Sequence, residues 1–184
     1  GQMMQANRKP STQRGLTLIE LLTTLALVGV LLASATPSLH HMVQHRRLDG
    51  VVQTYLSQLH WARLQAVALN QAVYIGFGRT ASHSCYLFYI GERDQCQCGA
   101  NGPACTAGAR PLVSTTLPLA QGVSVDAGTR STITVDALRG TVTPTFTAVF
   151  TARNGSEVQA KTSIMGRTRT CSPSPGALGL PACT

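Results

Sequence analysis

Acid is scarce in this chain: seven Asp and Glu stand against fifteen Lys and Arg in 184 residues, for a net charge of +8. None of the seven lies beyond Glu157, so the C-terminal stretch carries cations alone. Lysine is nearly missing as well, since thirteen of the fifteen cations are arginine, whose planar fork suits phosphate. That balance points away from a cationic partner and toward a polyanionic one. Catalytic signatures are also lacking. There is no His-Glu-x-x-His, no nucleophile elbow and no Walker lysine, and Gly76-x-Gly78 lies in a strand pattern with no helix after it. His40, His41 and His45 place two imidazoles four residues apart on a helix face, a spacing able to bind metal, but no general base accompanies them. No internal repeat or heptad array is visible. The chain reads as a non-enzyme with no cofactor and no metal.

What the chain does have is one long apolar run. Arg14-Gly15 leads into the twenty-one residues 16–36, which as a helix rising ~1.5 Å per residue match the ~30 Å core of a bilayer. Glu20 is the one charge inside it. A carboxylate in lipid is costly and by default marks a function that needs a partner. Cleavage after Gly15 would make Leu16 the new amino terminus and Glu20 its fifth residue. The terminal ammonium of a neighbouring subunit would then pair with Glu20 and set the stagger between packed helices. Ala33-Ser34-Ala35 has the form of a secretory cleavage site, but the run exceeds the usual apolar core of a signal peptide, holds an acid and continues into an amphipathic pattern.

Gly15, the apolar stretch, Glu20 and Pro37 together resemble the class III leader and N-terminal helix of type IV pilins and type II secretion pseudopilins. Leu16 stands where that family usually has Phe. The resemblance implies processing by a prepilin peptidase, methylation of the new amino terminus, single-pass storage in the bacterial inner membrane, and assembly with other pilins, which places the chain in the periplasm and in the pilus filament or its tip. Just outside the membrane, the histidines fit a filament interface or a headgroup contact. Residues 1–15 are then the leader, 16–36 the transmembrane and assembly helix, and 37–70 its amphipathic second half, kinked at Pro37 and loosened at Asp49-Gly50. Of the net charge, Arg8, Lys9 and Arg14 leave with the leader, so the mature chain carries +5.

Beyond Pro37, Leu48, Val52, Tyr55, Leu56, Leu59, Arg63 by its stem, and Val67 recur at helical spacing, which predicts a face laid against a sheet. Past Asn70 the pattern turns to short β-rich runs at 72–79, 84–90, 123–126, 131–136, 145–152 and 156–165. Phe146, Ala148 and Phe150 alternate with Thr145, Thr147 and Thr151, and Asn154-Gly155 is a hairpin signal. The globular sheet domain spans 71–165. Within it, 91–111 reads as a polar loop holding Cys96, Cys98 and Cys105, too long for an unstapled connection. The tail 166–184 holds three prolines, which exclude a helix or a central strand, and is bracketed by Cys171 and Cys183. Six cysteines in an exported chain read as disulfides. A Cys171–Cys183 bridge would tie the tail, as in the disulfide-closed C-terminal loop of many pilins. Cys85 would then pair with Cys96, Cys98 or Cys105. Zinc on those three is the sharper alternative, but Cys-x-Cys is not the usual ligand spacing.

Gly166-Arg167-Thr168-Arg169 directly follows the last expected strand. Glycine frees the backbone to turn, and arginines at i and i+2 of an extended segment project to one side about 7 Å apart, near the spacing of successive phosphates on one strand. Lys161 shares the polar parity of Glu157, Gln159 and Ser163 and extends that track. The helix and this motif resemble the FimT/GspH family of minor pilins and pseudopilins, in particular FimT-like minor pilins, whose C-terminal Gly-Arg-x-Arg motif binds DNA in natural transformation. The resemblance implies an α+β, type IV pilin-like fold: a long N-terminal helix packed on an antiparallel β-sheet domain, with a disulfide-closed C-terminal tail. It implies DNA contacts by Gly166, Arg167 and Arg169, extended to Lys161 and Arg153. The alternatives are a structural minor pilin that initiates pilus assembly, a type II secretion pseudopilin without a nucleic-acid ligand, and an adhesin-like module using the Cys-rich loop.

Overall fold

The structure, a computed structural model, describes residues 15, 17–106, 108–128, 132–174 and 177–184. The rest of the leader, Leu16 and the Pro37 side chain lie outside the described residues. Helix α1 runs Leu18–Leu69. It starts where Thr17 caps it: the Glu20 N–H donates to Thr17 Oγ1 at 3.4 Å, the first half of a capping box. It ends at Asn70, whose φ of +49° and whose small polar side chain suit a left-handed cap, with the Gln71 N–H donating to the Ala66 carbonyl at 3.2 Å. The helix is unbroken through Pro37 and through Asp49-Gly50.

The chain divides into two compact units, the first ending at His40 and the second spanning His41–Thr184. In the first, the helix presents exposed leucines and valines all along the stretch from Leu18 to Leu32 and is long and apolar enough to cross a membrane. In the second, α1 buries Leu48, Val52, Tyr55, Leu59, Ala62 and Ala66, spaced alternately four and three residues apart. Val67, expected on this face, is 55% exposed. Ala62 and Ala66 hold the seam in its place, because a small residue lets the helix approach the sheet closely. Tyr55 sits in an aromatic cluster, edge-on to Tyr86 at 5.1 Å and beside Phe150 at 5.2 Å. Its hydroxyl has no hydrogen-bond partner among the described residues, and burial pushes its pKa well above the usual tyrosine value. Among the described residues, every buried core side chain lies at or beyond Leu48, so the second unit carries its core within itself. Large side chains buried this way contribute roughly 1.5–3 kcal/mol each.

Strands β1 (Val73–Arg79), β2 (His83–Ile90), β5 (Arg110–Pro118), β7 (Ile133–Val135) and β8 (Val142–Thr143) form an antiparallel sheet ordered β5-β2-β1-β7-β8. A second antiparallel sheet, ordered β11-β10-β9-β6, holds β6 (Val123–Asp126), β9 (Phe146–Ala152), β10 (Glu157–Thr162) and β11 (Thr168–Cys171). The Val125 N–H donates to Ser84 Oγ at 2.9 Å and ties the two sheets together.

The segment 91–111 departs from the expected loop. It contains a hairpin of β3 (Cys96–Gly99) and β4 (Gly102–Cys105), and β5 begins at Arg110. Cys96–Cys105 bridges that hairpin in register, and Cys85–Cys98 binds it to β2. The hairpin explains why every residue of β2 is buried. Tyr86, Phe88 and Ile90 face the main core, while Leu87, Tyr89 and Cys96 form a second cluster beneath the Cys-rich cover. β5 carries no plain strand signal because Pro111 and Pro118 mark its ends, a position prolines tolerate on an edge strand.

Of the last two expected strands, the first closes at Ala152 as expected, while the second stops at Thr162 and Ser163–Met165 belongs to a turn instead. The tail is not wholly outside the sheet, because β11 pairs along β10 as an edge strand. Cys171–Cys183 closes the remainder.

Candidate nucleic-acid interface

Two consecutive hairpins carry the motif. The first joins β9 to β10 through Asn154-Gly155, where Asn154 Oδ1 accepts the Ser156 N–H at 3.0 Å and Gly155 has a φ of +83°. The second joins β10 to β11 through Ser163–Arg167, closed by Gly166 N–H to Ser163 O at 2.8 Å and Ser163 N–H to Arg167 O at 3.0 Å. Alternation then sorts the side chains. Phe146, Ala148, Phe150, Val158, Ala160 and Thr162 are buried, whereas Thr147, Lys161 and Arg169 stand on the other face.

Register brings the outer cations together. Lys161 is directly opposite Arg169 on β11 and directly opposite Thr147 on β9. Cross-strand partners have Cβ atoms about 5 Å apart, and Arg167, two residues before Arg169, adds a step of about 7 Å. Arg167 and Arg169 are both exposed. With Lys161 they line one open groove of about 830 Å³, whose other wall is the tail at Pro181, Ala182 and Thr184. That wall is held by Cys171–Cys183, by Ser172 N–H to Pro181 O at 2.9 Å, and by Ser172 Oγ–H to Glu157 O at 2.9 Å. Lys161 Nζ donates to the main-chain oxygen of Thr184 at 2.8 Å, a bond that joins β10 to the tail across the groove.

Among the described residues, no Asp or Glu side chain balances these charges. Glu157 lies at the other end of β10 and accepts from Gln159 Nε2 at 2.8 Å. The ion pair found among the described residues, Arg79 with Asp126 at 4.0 Å, joins β1 to β6. Like charges directly opposite across a ladder destabilise it by up to ~1 kcal/mol. The Lys161/Arg169 pair carries part of that cost, which the Thr184 oxygen on Lys161 offsets and an anion in the groove would offset further.

Gly166 is a glycine for two reasons. Its φ is +70°, and a Cβ there would overlap the guanidinium of Arg63. From α1, Arg63 Nη1 donates to Gly166 O at 2.8 Å, Nη2 to Met165 O at 3.2 Å and Nε to Gly140 O at 3.3 Å. One side chain thus clamps both the β10–β11 turn and the β7–β8 turn against the helix. The sequence pattern shows only an apolar stem for Arg63; nothing local signals that its head group supports a motif about a hundred residues away.

Arg153 is not brought to the groove. It sits in the β9–β10 turn, on the order of 20 Å of strand from Thr147, and Nη2 donates to Ala120 O at 2.9 Å and Leu119 O at 3.4 Å. Gly15 is exposed and Glu20 lies in the first turn of α1.

Residues 51–166 match the family described as "Type II transport protein GspH". Residues 10–36 match the prokaryotic N-terminal methylation motif. The first match stops at Gly166, so Arg167 and Arg169 fall just beyond it. No curated protein matches the chain in sequence. Among solved structures, the minor pseudopilin EpsH from the Type 2 Secretion System of Vibrio cholerae is 15% identical, over 69% of this chain and 98% of that one, with a TM-score of 0.45. With well over half its length in the first match and the methylation motif ahead of it, the chain belongs to the GspH family of minor pilins and pseudopilins.

Proposed function

We propose that this minor pilin binds DNA through its phosphate backbone, without sequence preference, and supports DNA uptake in natural transformation by a type IV pilus. The observation that carries the reading is the row of cations with no side-chain acid beside it. Lys161 faces Arg169 in register and Arg167 borders the same groove, with no Asp or Glu after Glu157. Three phosphates taken by three cations release their counterions, so binding is weak, blind to sequence and sensitive to salt. The two guanidinium forks orient the strand, and Lys161 contributes a point charge. Arg153, at the far end of the hairpin, contacts DNA only if the strand continues along the sheet.

The test is a titration of the His41–Thr184 unit with unrelated duplexes of equal length. Affinities should agree between sequences, and log K should fall against log salt with a slope of about −3, near −0.9 per phosphate. No binding at low salt would leave a purely structural subunit, or a secretion pseudopilin, as the function.

Processing follows from the other end of the chain. Among the described residues, a Cβ on Gly15 meets no atom within 4 Å, so none of them demands glycine there. We assign the demand to the peptidase. A bulkier residue at Gly15 should leave the globular unit folded and block cleavage, read as an unshortened chain by mass. Glu20→Ala should be cleaved normally yet fail to enter filaments, because an unpaired terminal ammonium is then left in an apolar bundle. A mature chain starting after Ala35 would overturn this assignment.

A further inference from the structure

Three large apolar side chains stand in water at the end of the cation row: Leu138 is 82% exposed, Met165 71% and Ile164 53%. They lie on two adjacent turns. The Val142 N–H donates to Ile164 O at 2.8 Å, and Arg63 bonds the carbonyls of both Gly140 and Met165. The β7–β8 turn is stiffened further by Asp136 Oδ1, which accepts the N–H groups of Leu138 at 3.0 Å and Arg139 at 2.7 Å. The apolar knob is thus mounted on a braced support, and it is flanked by two exposed arginines, Arg139 and Arg167.

We propose that this knob is the base-contacting half of the nucleic-acid site and that the ligand is single-stranded DNA, an inference that rests on the phosphate-binding reading above. Ile164 and Met165 sit in the β10–β11 turn at the end of the row formed by the Lys161/Arg169 pair and Arg167, so a strand that runs along the cations and continues past Arg167 meets them. An alternation of cation and apolar surface matches a polymer that alternates phosphate and uncovered base faces. A duplex hides those faces in its stack and meets the knob only by opening a base step, at a cost of a few kcal/mol. Exposed aliphatic groups in water gain by covering an unstacked base, while the flanking guanidiniums take the phosphates on either side.

The experiment compares single-stranded and duplex oligonucleotides of one sequence on the full-length chain in a zwitterionic nanodisc. Wild type should favour the single strand by about fivefold, which covering on the order of 40 Å² of aliphatic surface by one base supplies. I164S/M165S should remove that preference while the duplex affinity and both salt slopes stay unchanged. L138S, on the other turn, should weaken the preference independently, which guards against a local folding defect in the double variant. Equal wild-type affinity for the two forms, or an unchanged ratio in all variants, overturns the inference while leaving phosphate binding standing. Absence of DNA binding altogether overturns both.

Discussion

Replacing Arg167 and Arg169 together by Gln is expected to lower DNA affinity by about a hundredfold, since each charge-assisted hydrogen bond is worth roughly 1.5–3 kcal/mol. The salt slope should fall by about two, one for each phosphate left without its cation. The loss should be the same for unrelated sequences, because phosphates carry no base information. Stability should not fall with it. Both side chains are exposed, and removing Arg169 relieves the like charge opposite Lys161. A melting temperature equal to or slightly above wild type is therefore the expected companion result. Arg→Lys at both positions should recover part of the affinity, since charge returns without the bidentate fork. In cells, the double variant should assemble filaments and lose transformation. Wild-type affinity in the absence of both arginines would move the site elsewhere, with Arg153 and Arg139 as the cations next in line.

Gly166→Ala is expected to do the opposite and damage stability and binding together. A Cβ at φ +70° is strained by about 1–2 kcal/mol. It also displaces Arg63, and the carbonyls of Gly140, Met165 and Gly166 lose their donor. Two of these bonds are part-buried and one is exposed, so water replaces much of what is lost and the three together cost on the order of 1–2 kcal/mol. A total near 3 kcal/mol corresponds to a fall in Tm of roughly 6–12 °C for a domain of this size. Arg63→Met separates the two causes. It removes the clamp and keeps the glycine, so it should reproduce the binding loss by loosening the turn without the backbone strain. If Gly166→Ala melts and binds like wild type, the clamp does not organise the site.

The N-terminal helix is legible in the sequence because its signal is local and strong. A membrane-length apolar run with one acid has few other readings, and the i, i+3, i+4 stripe from Leu48 to Leu59 maps directly onto the buried face. Stripe and buried face part only at the end, where Ala62 and Ala66 carry too little hydrophobic signal to outweigh Val67. The β9–β10 hairpin is equally plain from its strict alternation and Asn-Gly turn. The Cys-rich hairpin is not, because its strands are held by disulfides and by what they cover rather than by apolar periodicity; Gln97, Pro103 and Ala104 look like loop.

The motif shows the same division within a few residues. Its chemistry, two arginines around one threonine behind a glycine with no acid following, is present in the sequence alone. So is the parity that puts Lys161 on the polar face. That Lys161 stands opposite Arg169, that Arg153 is stranded at the other end of the hairpin, and that Arg63 holds Gly166 from below were decided by tertiary structure. The physical reason is distance along the chain. Periodicity, turn chemistry and charge are properties of neighbours in sequence, whereas register across a hairpin and a guanidinium reaching three carbonyls depend on where the folded backbone brings separate segments together.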